Sequence, residues 1–349
     1  MKKYFICLLL TISSGLLFAQ PPFNGNGTGA LNAPYQIWTR YHLKELSDSL
    51  YNDAFRSNCW HCDKHFRLMQ DIDAITQTEC LSLFNGYFHG SNKKITLLNT
   101  NGYPFISMLY GTVDSLIVDG YINNGGAAIV GGVATSSAVI NYCTSNVTIS
   151  IDINGFGVGG VVGLNMGVVI NCVNNGYISV YGMIDMIGGV VGRNDAGGHI
   201  INCVNSGKIT TINSGYNTGL TGQPTSNNGV GGIVGSHPNA TGGSIRNNIN
   251  TGSVEGQDMV GGIVGVIVGS GGMSPPTSIT NNLNYGFVKG NKIVGGVASW
   301  VFSGIINISN NSNFGVVVGE EDTGCIVGRN NGGILINNHY DKQMCGEED

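Results

Sequence analysis

The chain has 349 residues, of which 56 are glycine and only 11% are charged, and its net charge is −5 at pH 7. Ordinary disorder is excluded because 42% of the residues are apolar, whereas disordered chains combine high net charge with few apolar residues. With 16 Lys and Arg there is no basic stripe for a nucleic acid backbone, and glycine without a three-residue period excludes collagen.

Residues 1–20 have the layout of a secretory signal peptide. Lys2 and Lys3 precede an apolar run, and Ala19 is a small residue suited to cleavage. Cys7 lies inside that run without a small residue before it, which disfavours a lipid anchor. No later stretch has 18 uninterrupted apolar residues, so we expect no membrane span. These features predict a chain that is secreted or located at the cell surface.

Residues 21–58 are predicted to form an N-terminal strand and a capping helix. Leu43, Leu46 and Leu50 recur at spacings of three and four with charged residues between them, which predicts an amphipathic helix over residues 41–55. Thr39 is a suitable N-cap. Such a helix would cover the first turn of whatever sheet follows, whose core and strand edge would otherwise face water.

Residues 59–125 are predicted to form irregular first β-coils, and they begin with a cluster of potential metal ligands. Cys59, His61, Cys62 and His65 fall within seven residues. Zinc accepts such donors, but four ligands this close in sequence do not readily reach tetrahedral geometry, so we predict no metal site. A disulfide among Cys59, Cys62 and Cys80, or a plain surface loop, is the preferred interpretation.

Residues 126–340 contain an internal repeat. A Gly-Gly-aliphatic motif recurs, mostly at intervals of 28 to 34 residues, and an Asn-x-x-Asn-x-Gly motif follows most copies about eleven residues later. The Gly-Gly pairs include Gly159-Gly160, Gly188-Gly189, Gly231-Gly232 and Gly261-Gly262. The asparagine pairs include Asn171 and Asn174, Asn202 and Asn205, Asn247 and Asn250, and Asn281 and Asn284.

Short β-branched segments separate these motifs and predict strands rather than helices. One coil of about 29 residues would then hold about three strands and three corners, and stacked coils would form an all-β parallel β-helix, or β-solenoid. We expect glycine to supply positive φ at the corners, and the amides of Asn202 and Asn205 to satisfy buried backbone groups. An asparagine-lined ligand groove is the alternative. Cys172 and Cys203 stand at equivalent repeat positions and are interpreted as buried core residues, with a disulfide as the alternative.

The repeat resembles the GLUG motif of secreted and surface proteins of bacteria. The resemblance is carried by Gly159-Gly160-Val161-Val162-Gly163, Asn165, Val169-Ile170-Asn171-Cys172 and Asn175-Gly176, and it extends over about residues 131–340. Segments around Tyr35, Phe66 and Phe84 also resemble the openings of such proteins. The resemblance implies a β-helical shape and an extracellular role, commonly adhesive or of unknown activity, and it implies no catalytic residues. Ala134 and Ala298 depart from the motif.

Catalytic patterns are sparse. Some GLUG proteins resemble immunoglobulin-cleaving metallopeptidases, yet none of the seven histidines begins a His-Glu-x-x-His motif. A glycosidase or lyase needs carboxylates or basic residues gathered on one face, and the repeats hold few acids. We therefore predict no catalytic residue, cofactor or metal, and a structural or adhesive scaffold that binds a glycan or protein. The alternative is a β-helical carbohydrate-active enzyme, which an acid cluster on adjacent coils would favour.

Residues 341–349 form a charged tail. A solenoid needs a cap because its last coil leaves strand edge and core open to solvent. We expect the tail to fold across that edge, fastened by a bond between Cys345 and Cys325, and the chain to be a monomer. The alternatives are that the chain pairs with another copy, or that it is the front part of a longer protein.

Overall fold

A computed structural model describes residues 26–53, 59–133, 135–153, 157–195, 197–212, 229–240, 242–269 and 276–345. The predicted signal peptide, Ala134, most of the insertion before Gly229 and the last four residues of the tail lie outside these ranges.

The described residues form a parallel β-helix. Its strands belong to sheets of 25, 9 and 6 strands, and every pairing between successive coils is parallel. The repeat is kept in register, because Gly159, Gly188, Gly231, Gly261, Gly295 and Gly324 pair one after another along the helix axis. The predicted all-β parallel β-helix is confirmed.

Each regular coil contains five short strands rather than three. The three sheets are its three sides, but turns break the largest sheet into three segments per coil, so five columns of strands run along the axis. Column 1 holds Val158–Gly159, Met186–Gly188, Gly229–Gly231, Asp258–Gly261, Lys292–Gly295 and Glu321–Gly324. Column 2 holds Leu81–Phe84, Ile106–Leu109, Val130–Val133, Val162–Asn165, Val191–Asn194, Val234–Ala240, Val264–Gly269, Ala298–Ser303 and Val327–Asn330.

Columns 3 to 5 make up the 25-stranded sheet. Column 3 holds Tyr35–Ile37, His65–Leu68, Val139–Asn141, Val168–Ile170, His199–Ile201, Ser244–Arg246, Thr277–Thr280, Ile306–Ser309 and Gly333–Ile336. Column 4 holds Ile72–Thr76, Thr144–Ser145, Val173–Asn174, Val204–Asn205, Ile249–Asn250, Leu283–Asn284, Ser312–Asn313 and His339–Tyr340. Column 5 holds Thr148–Ile151, Ile178–Val180, Ile209–Thr211, Val254–Glu255, Val288–Lys289 and Val317–Val318. Two long strands, Tyr87–Asn99 and Thr112–Asn123, continue from column 3 into the next columns.

Column 3 gives the length of the rod. Its eleven strands, counting the two long ones, stack one on the next, and at about 4.8 Å per step they extend about 50 Å. Inward side chains from all columns form one continuous apolar core, mostly of valine and isoleucine.

The helix Arg40–Asp53 packs against the strand Leu81–Phe84 and the 3₁₀ turn Gln77–Glu79. Leu43, Leu46 and Leu50 are buried in the core, and Thr39 Oγ1 accepts a hydrogen bond from the His42 N–H at 3.4 Å. Arg40 forms an ion pair with Glu79 at 3.1 Å. The helix thus lies over the first coils, as its sequence pattern predicts.

The last described coil is more open. Leu335 is 45% exposed although Ile308, its partner one coil earlier, is fully buried. A cavity of about 420 Å³ lies beside Leu335, Ile326 and Tyr340. The tail forms a 3₁₀ turn, Lys342–Cys345, and a disulfide joins Cys345 to Cys325.

Candidate functional site

The repeat residues predicted from the sequence occupy fixed places in each coil. The first glycine of each pair (Gly159, Gly188, Gly231, Gly261) ends a column 1 strand, and the second (Gly160, Gly189, Gly232, Gly262) begins the turn to column 2. The first asparagine (Asn171, Asn202, Asn247, Asn281) forms the turn between columns 3 and 4, and the second (Asn174, Asn205, Asn250, Asn284) ends column 4.

The first asparagine is selected by backbone conformation. Asn171, Asn202, Asn247 and Asn281 all have φ between 54° and 58°, in the left-handed region that asparagine tolerates better than most residues. Asn202 is exposed, and its Nδ2 donates to Asn171 Oδ1 at 3.2 Å rather than to a buried backbone group. The expectation that the Asn202 amide satisfies a buried corner is therefore wrong.

The second asparagine builds a buried ladder along the axis. Asn205 is fully buried, its Nδ2 donates to Gly207 O at 3.0 Å and to Asn250 Oδ1 at 2.9 Å, and its Oδ1 accepts from Asn174 Nδ2 at 2.9 Å. The ladder continues from Asn250 to Asn284 and from Asn284 to Asn313. Each amide is paired in the interior, where an unpaired one would be costly.

This ladder explains why the Gly-Gly motif and the asparagine motif recur at a constant separation. A Cβ on Gly160 would fall within 3 Å of Asn174 Cγ, and the same holds for Gly189 with Asn205, Gly232 with Asn250 and Gly262 with Asn284. A Cβ on the first glycine of each pair would instead clash with the backbone carbonyl oxygen three residues later, as at Gly159 with Val162 O. None of these eight glycines has positive φ. Glycine is required here by close packing between coils, so the expectation of positive φ at these glycines is wrong.

A neighbouring interior column changes residue type along the rod. Cys143, Cys172 and Cys203 occupy it in three successive coils as buried free thiols, and burial raises the pKa of Cys172 well above its ordinary value. Asn248, Asn282 and Asn311 then occupy it, joined amide to amide at 2.9 Å. The interpretation of Cys172 and Cys203 as core residues is confirmed.

Two disulfides are present in the described residues. One joins Cys59 to Cys62 and the other joins Cys325 to Cys345, whereas Cys80 is a buried free thiol. Cys59, His61 and Cys62 bring ligand atoms within 4.8 Å of one another, but in the disulfide neither sulfur is a thiolate that could bind a metal.

A group of hydrogen-bonded polar side chains lies on the first coils. This first-coil cluster comprises His65, Arg67, Tyr87, His89 and Asp114. Phe66, Phe88 and Val113 alternate with them and are fully buried, so the cluster lies on the outer face of column 3. Arg67, His89 and Asp114 are partners in successive strands, as are His65 and Tyr87.

A hydrogen-bonded chain runs through the cluster. Asp114 Oδ2 is 2.6 Å from His89 Nδ1, and His89 Nε2 is 2.9 Å from His65 Nδ1. The His65 ring also stacks on Tyr87, with centroids 4.4 Å apart. A carboxylate only accepts, so His89 Nδ1 donates to Asp114. With both imidazoles neutral, His65 Nδ1 then donates to His89, which leaves the lone pair on His65 Nε2.

The surroundings of His65 favour its neutral form. Partial burial, followed by the neighbouring His89 and Arg67, lowers the pKa of His65 below its ordinary value. A neutral imidazole held by a carboxylate-linked partner is the arrangement of a general base.

Three further carboxylates lie on the same coils, in or next to column 4. Asp71 accepts the Lys94 N–H at 2.9 Å, Asp73 accepts from Thr96 Oγ1 at 2.8 Å, and Asp119 accepts from Asn146 Nδ2 at 2.6 Å. Lys94 Nζ is 3.6 Å from Asp119. Sequence reasoning that surveyed acids only in the repeats missed this group. The signal was the alternation of polar and large apolar residues in the segments starting at His65, Tyr87 and Thr112.

Comparison with known proteins agrees with this fold. The family model described as the GLUG motif matches residues 186–210, which is one coil of the repeat. Comparison with curated proteins finds no match. In the part of the chain that the structure describes, no helix has the length and apolar character needed to cross a membrane.

Two solved structures share the fold. One is the crystal structure of a Bacteroides ovatus protein provisionally named as an immunoglobulin A1 protease, with a TM-score of 0.52 and 16% identity over 92% of this chain and 87% of that one. The other is described as IgA1 Protease, with a TM-score of 0.54 and 16% identity over 82% of this chain and 23% of that one. At this identity the likeness establishes the fold alone. The motif match and the stacked coils show that the chain carries a GLUG motif, at residues 186–210, within a parallel β-helix.

Proposed function

We propose that this protein is an exported binding scaffold that recognises an extracellular glycan or protein ligand with one long face of its β-helix. The observation that carries the proposal is the contrast between the two faces of column 3. Inward residues are nearly constant from coil to coil, as in Val169, Ile200 and Ile245. The residues that follow them change from Ile170 and the buried Ile201 to Arg246 and Thr280. A rigid interior with a varied exterior suits recognition.

Export is part of the proposal. The signal-like residues 1–20 and the disulfide pairs Cys59–Cys62 and Cys325–Cys345 support it, because disulfides persist in oxidising compartments. The fold shared with proteins named as immunoglobulin A1 proteases is compatible with an extracellular setting.

The test is incubation of the mature chain with a glycan array, with immobilised host glycoproteins and with soluble polysaccharides. We expect retention of at least one ligand class without release of fragments. Arg246→Ala, which changes an exposed column 3 residue, should weaken binding. The matched control is Lys342→Ala, which also removes an exposed positive charge but lies in the tail at the end of the rod, and it should bind as the wild type does. No retention by any ligand class would contradict the scaffold.

A second candidate is a β-helical carbohydrate-active enzyme, and the chain from Asp114 through His89 to His65 favours it. In that function His65 Nε2 would take a proton from water or from a sugar carbon, and Arg67 would face an anionic group of the substrate. Release of fragments that is abolished by His65→Gln, with secondary structure and the denaturation midpoint unchanged, would establish this activity. Fragment release that persists in His65→Gln would place the chemistry elsewhere.

A further inference from the structure

The loop Cys59-Trp60-His61-Cys62 has features that a purely structural crosslink does not need. Its disulfide joins residues only three apart in sequence, whereas Cys325 and Cys345 are 20 apart. A disulfide stabilises chiefly by restricting the unfolded chain, and the restriction grows with loop length. The Cys59–Cys62 bond therefore stabilises the fold less than the Cys325–Cys345 bond does.

The two sulfurs differ in exposure and in hydrogen bonding. Cys59 is exposed and Cys62 is half-buried. Cys59 Sγ lies 3.1 Å from the Cys62 N–H and 3.6 Å from the ring nitrogens of His61. Cys62 Sγ accepts from Asn85 Nδ2 at 3.0 Å. Donors at these distances stabilise a thiolate relative to a thiol, so each sulfur has a partner for the charge it would carry after reduction.

The loop is held in place by the core beneath it. His61 is buried and stacks on Phe84, with centroids 6.0 Å apart. Trp60 packs edge-on against Tyr35 and Phe66 at 6.3 and 5.9 Å. The loop that carries the exposed sulfur is therefore anchored by ring contacts with the core in addition to the disulfide.

From these observations we infer that Cys59 and Cys62 form a redox-active pair that exchanges disulfides with exposed cysteine thiols of extracellular polypeptides. A substrate thiolate attacks Cys59 Sγ, the Cys59–Cys62 bond breaks, and its electron pair leaves on Cys62 Sγ beside Asn85. A second substrate thiolate then attacks the substrate sulfur of the mixed disulfide and releases Cys59 as a thiolate beside the Cys62 N–H and His61. The substrate loses two electrons and gains a disulfide, and the protein gains a dithiol. A low-molecular-weight disulfide restores Cys59–Cys62 by the reverse exchange.

The test uses the full mature chain in glutathione buffers of graded ratio, with a chelator present so that the reduced pair binds no metal. Alkylation followed by peptide mass spectrometry reports each disulfide separately. We expect a reversible two-electron transition at Cys59–Cys62 while the protein stays folded and Cys325–Cys345 stays oxidised. Reduction of Cys59–Cys62 only under conditions that also unfold the chain would overturn the inference.

Two variants separate a redox role from a structural one. His61→Phe keeps a ring over Phe84 but removes the donor beside Cys59, and Asn85→Ala removes the donor beside Cys62. Each substitution should slow, by roughly tenfold, the rate at which the protein catalyses oxidation of a dithiol peptide by oxidised glutathione. The circular dichroism spectrum should be unchanged. The matched control, Cys325→Ser with Cys345→Ser, should leave that rate as in the wild type. Wild-type rates in both loop variants would show that the pair is only a surface crosslink.

Discussion

The two asparagines of each repeat meet different physical demands. The first occupies a left-handed turn at the surface, and the second is a buried link in a ladder of amides. Substitution by the same residue should therefore have unequal effects at the two positions, although both belong to one motif.

Asn205→Ala should lower the free energy of unfolding by about 1–3 kcal/mol, because it leaves buried partners on Asn174, Gly207 and Asn250 unpaired. Asn202→Gly is the matched control and should change stability by less than about 0.5 kcal/mol, because glycine adopts the left-handed turn and the lost side chain is exposed. Urea denaturation measures both. Equal losses in the two variants would show that the ladder adds nothing beyond turn geometry.

A buried histidine makes stability depend on pH. His237 is fully buried, its Nδ1 donates to Asn194 O at 2.6 Å, and burial lowers its pKa below the ordinary value of 6.5. The unfolded chain takes up a proton near that value and the folded chain does not. The stability contributed by neutral His237 is thus complete above pH 6.5 and is lost as the pH falls from there toward the folded pKa.

His237→Asn should remove this dependence, since Asn165 and Asn194 occupy the same column in the preceding coils. Denaturation midpoints at about pH 7.5 and about pH 5.5 would show a larger acid loss for the wild type, by up to about 1.4 kcal/mol per pH unit. An identical pH profile in the variant would mean that His237 is not the responsible group.

The sequence shows which residues recur in the repeat, but it shows only in part why each of those residues is required. The preference of asparagine for the left-handed conformation is a local property, so it can be predicted from a single segment of sequence. The space that Gly189 leaves for Asn205 exists only after two columns of one coil meet, so no local rule points to it. The chain from Asp114 to His65 spans three strands and was missed for the same reason.

At the scale of elements, the N-terminal helix substitutes for a missing coil. Its three leucines fill the core that the first coils would otherwise leave open to water. The leucine spacing predicts that the helix starts at Tyr41, one residue after its observed start at Arg40, because three buried leucines on one face are a strong local signal.

Leu46→Ala should destabilise the protein by about 2–5 kcal/mol, the usual cost of a cavity at a fully buried leucine. Tyr41→Ala, on the same helix but 67% exposed, is the control and should stay within about 0.5 kcal/mol of the wild type. Chemical denaturation followed by circular dichroism compares them. An unchanged free energy of unfolding in Leu46→Ala would show that the helix does not complete the core.

The irregular first coils were the least predictable elements. The strands Tyr87–Asn99 and Thr112–Asn123 turn at Ser91, Asn92, Ser115 and Gly120, which have positive φ but do not follow the Asn-x-x-Asn-x-Gly motif of the repeats. Their pairing includes a register shift between His89 and Lys93. The repeats could be counted from the spacing of their glycine and asparagine motifs, but that spacing is absent from the first coils. There, only stacking on neighbouring coils defines where each side of the β-helix ends.

At the scale of the molecule, the two ends of the rod are covered differently. A whole helix covers the first coils, whereas a single 3₁₀ turn and the Cys325–Cys345 disulfide cover part of the last described coil. Ile334, Leu335 and Ile336 remain exposed there. The tail is therefore the element on which the solution state should depend.

We predict a monomer at micromolar concentration, and association of the double variant Cys325→Ser, Cys345→Ser, because release of the tail uncovers apolar residues and unpaired strand edge. Light scattering after size exclusion measures both. Cys59→Ser with Cys62→Ser removes the other disulfide and should remain monomeric. Concentration-dependent dimers of the wild type would contradict the self-capping role of the tail.

The asparagine ladder also has a mechanical consequence. Its hydrogen bonds point along the rod, so tension between the two ends loads each junction of neighbouring coils in series, and the weakest junction yields first. Junctions between Asn174 and Asn313 are reinforced by the amides, whereas Val118 and Ser145 occupy the same column nearer the first coils. In a single-molecule experiment at constant force, we expect the first coils to unfold before the repeats. The folded part of the rod then becomes shorter from that end, while the coils joined by the asparagine ladder stay folded.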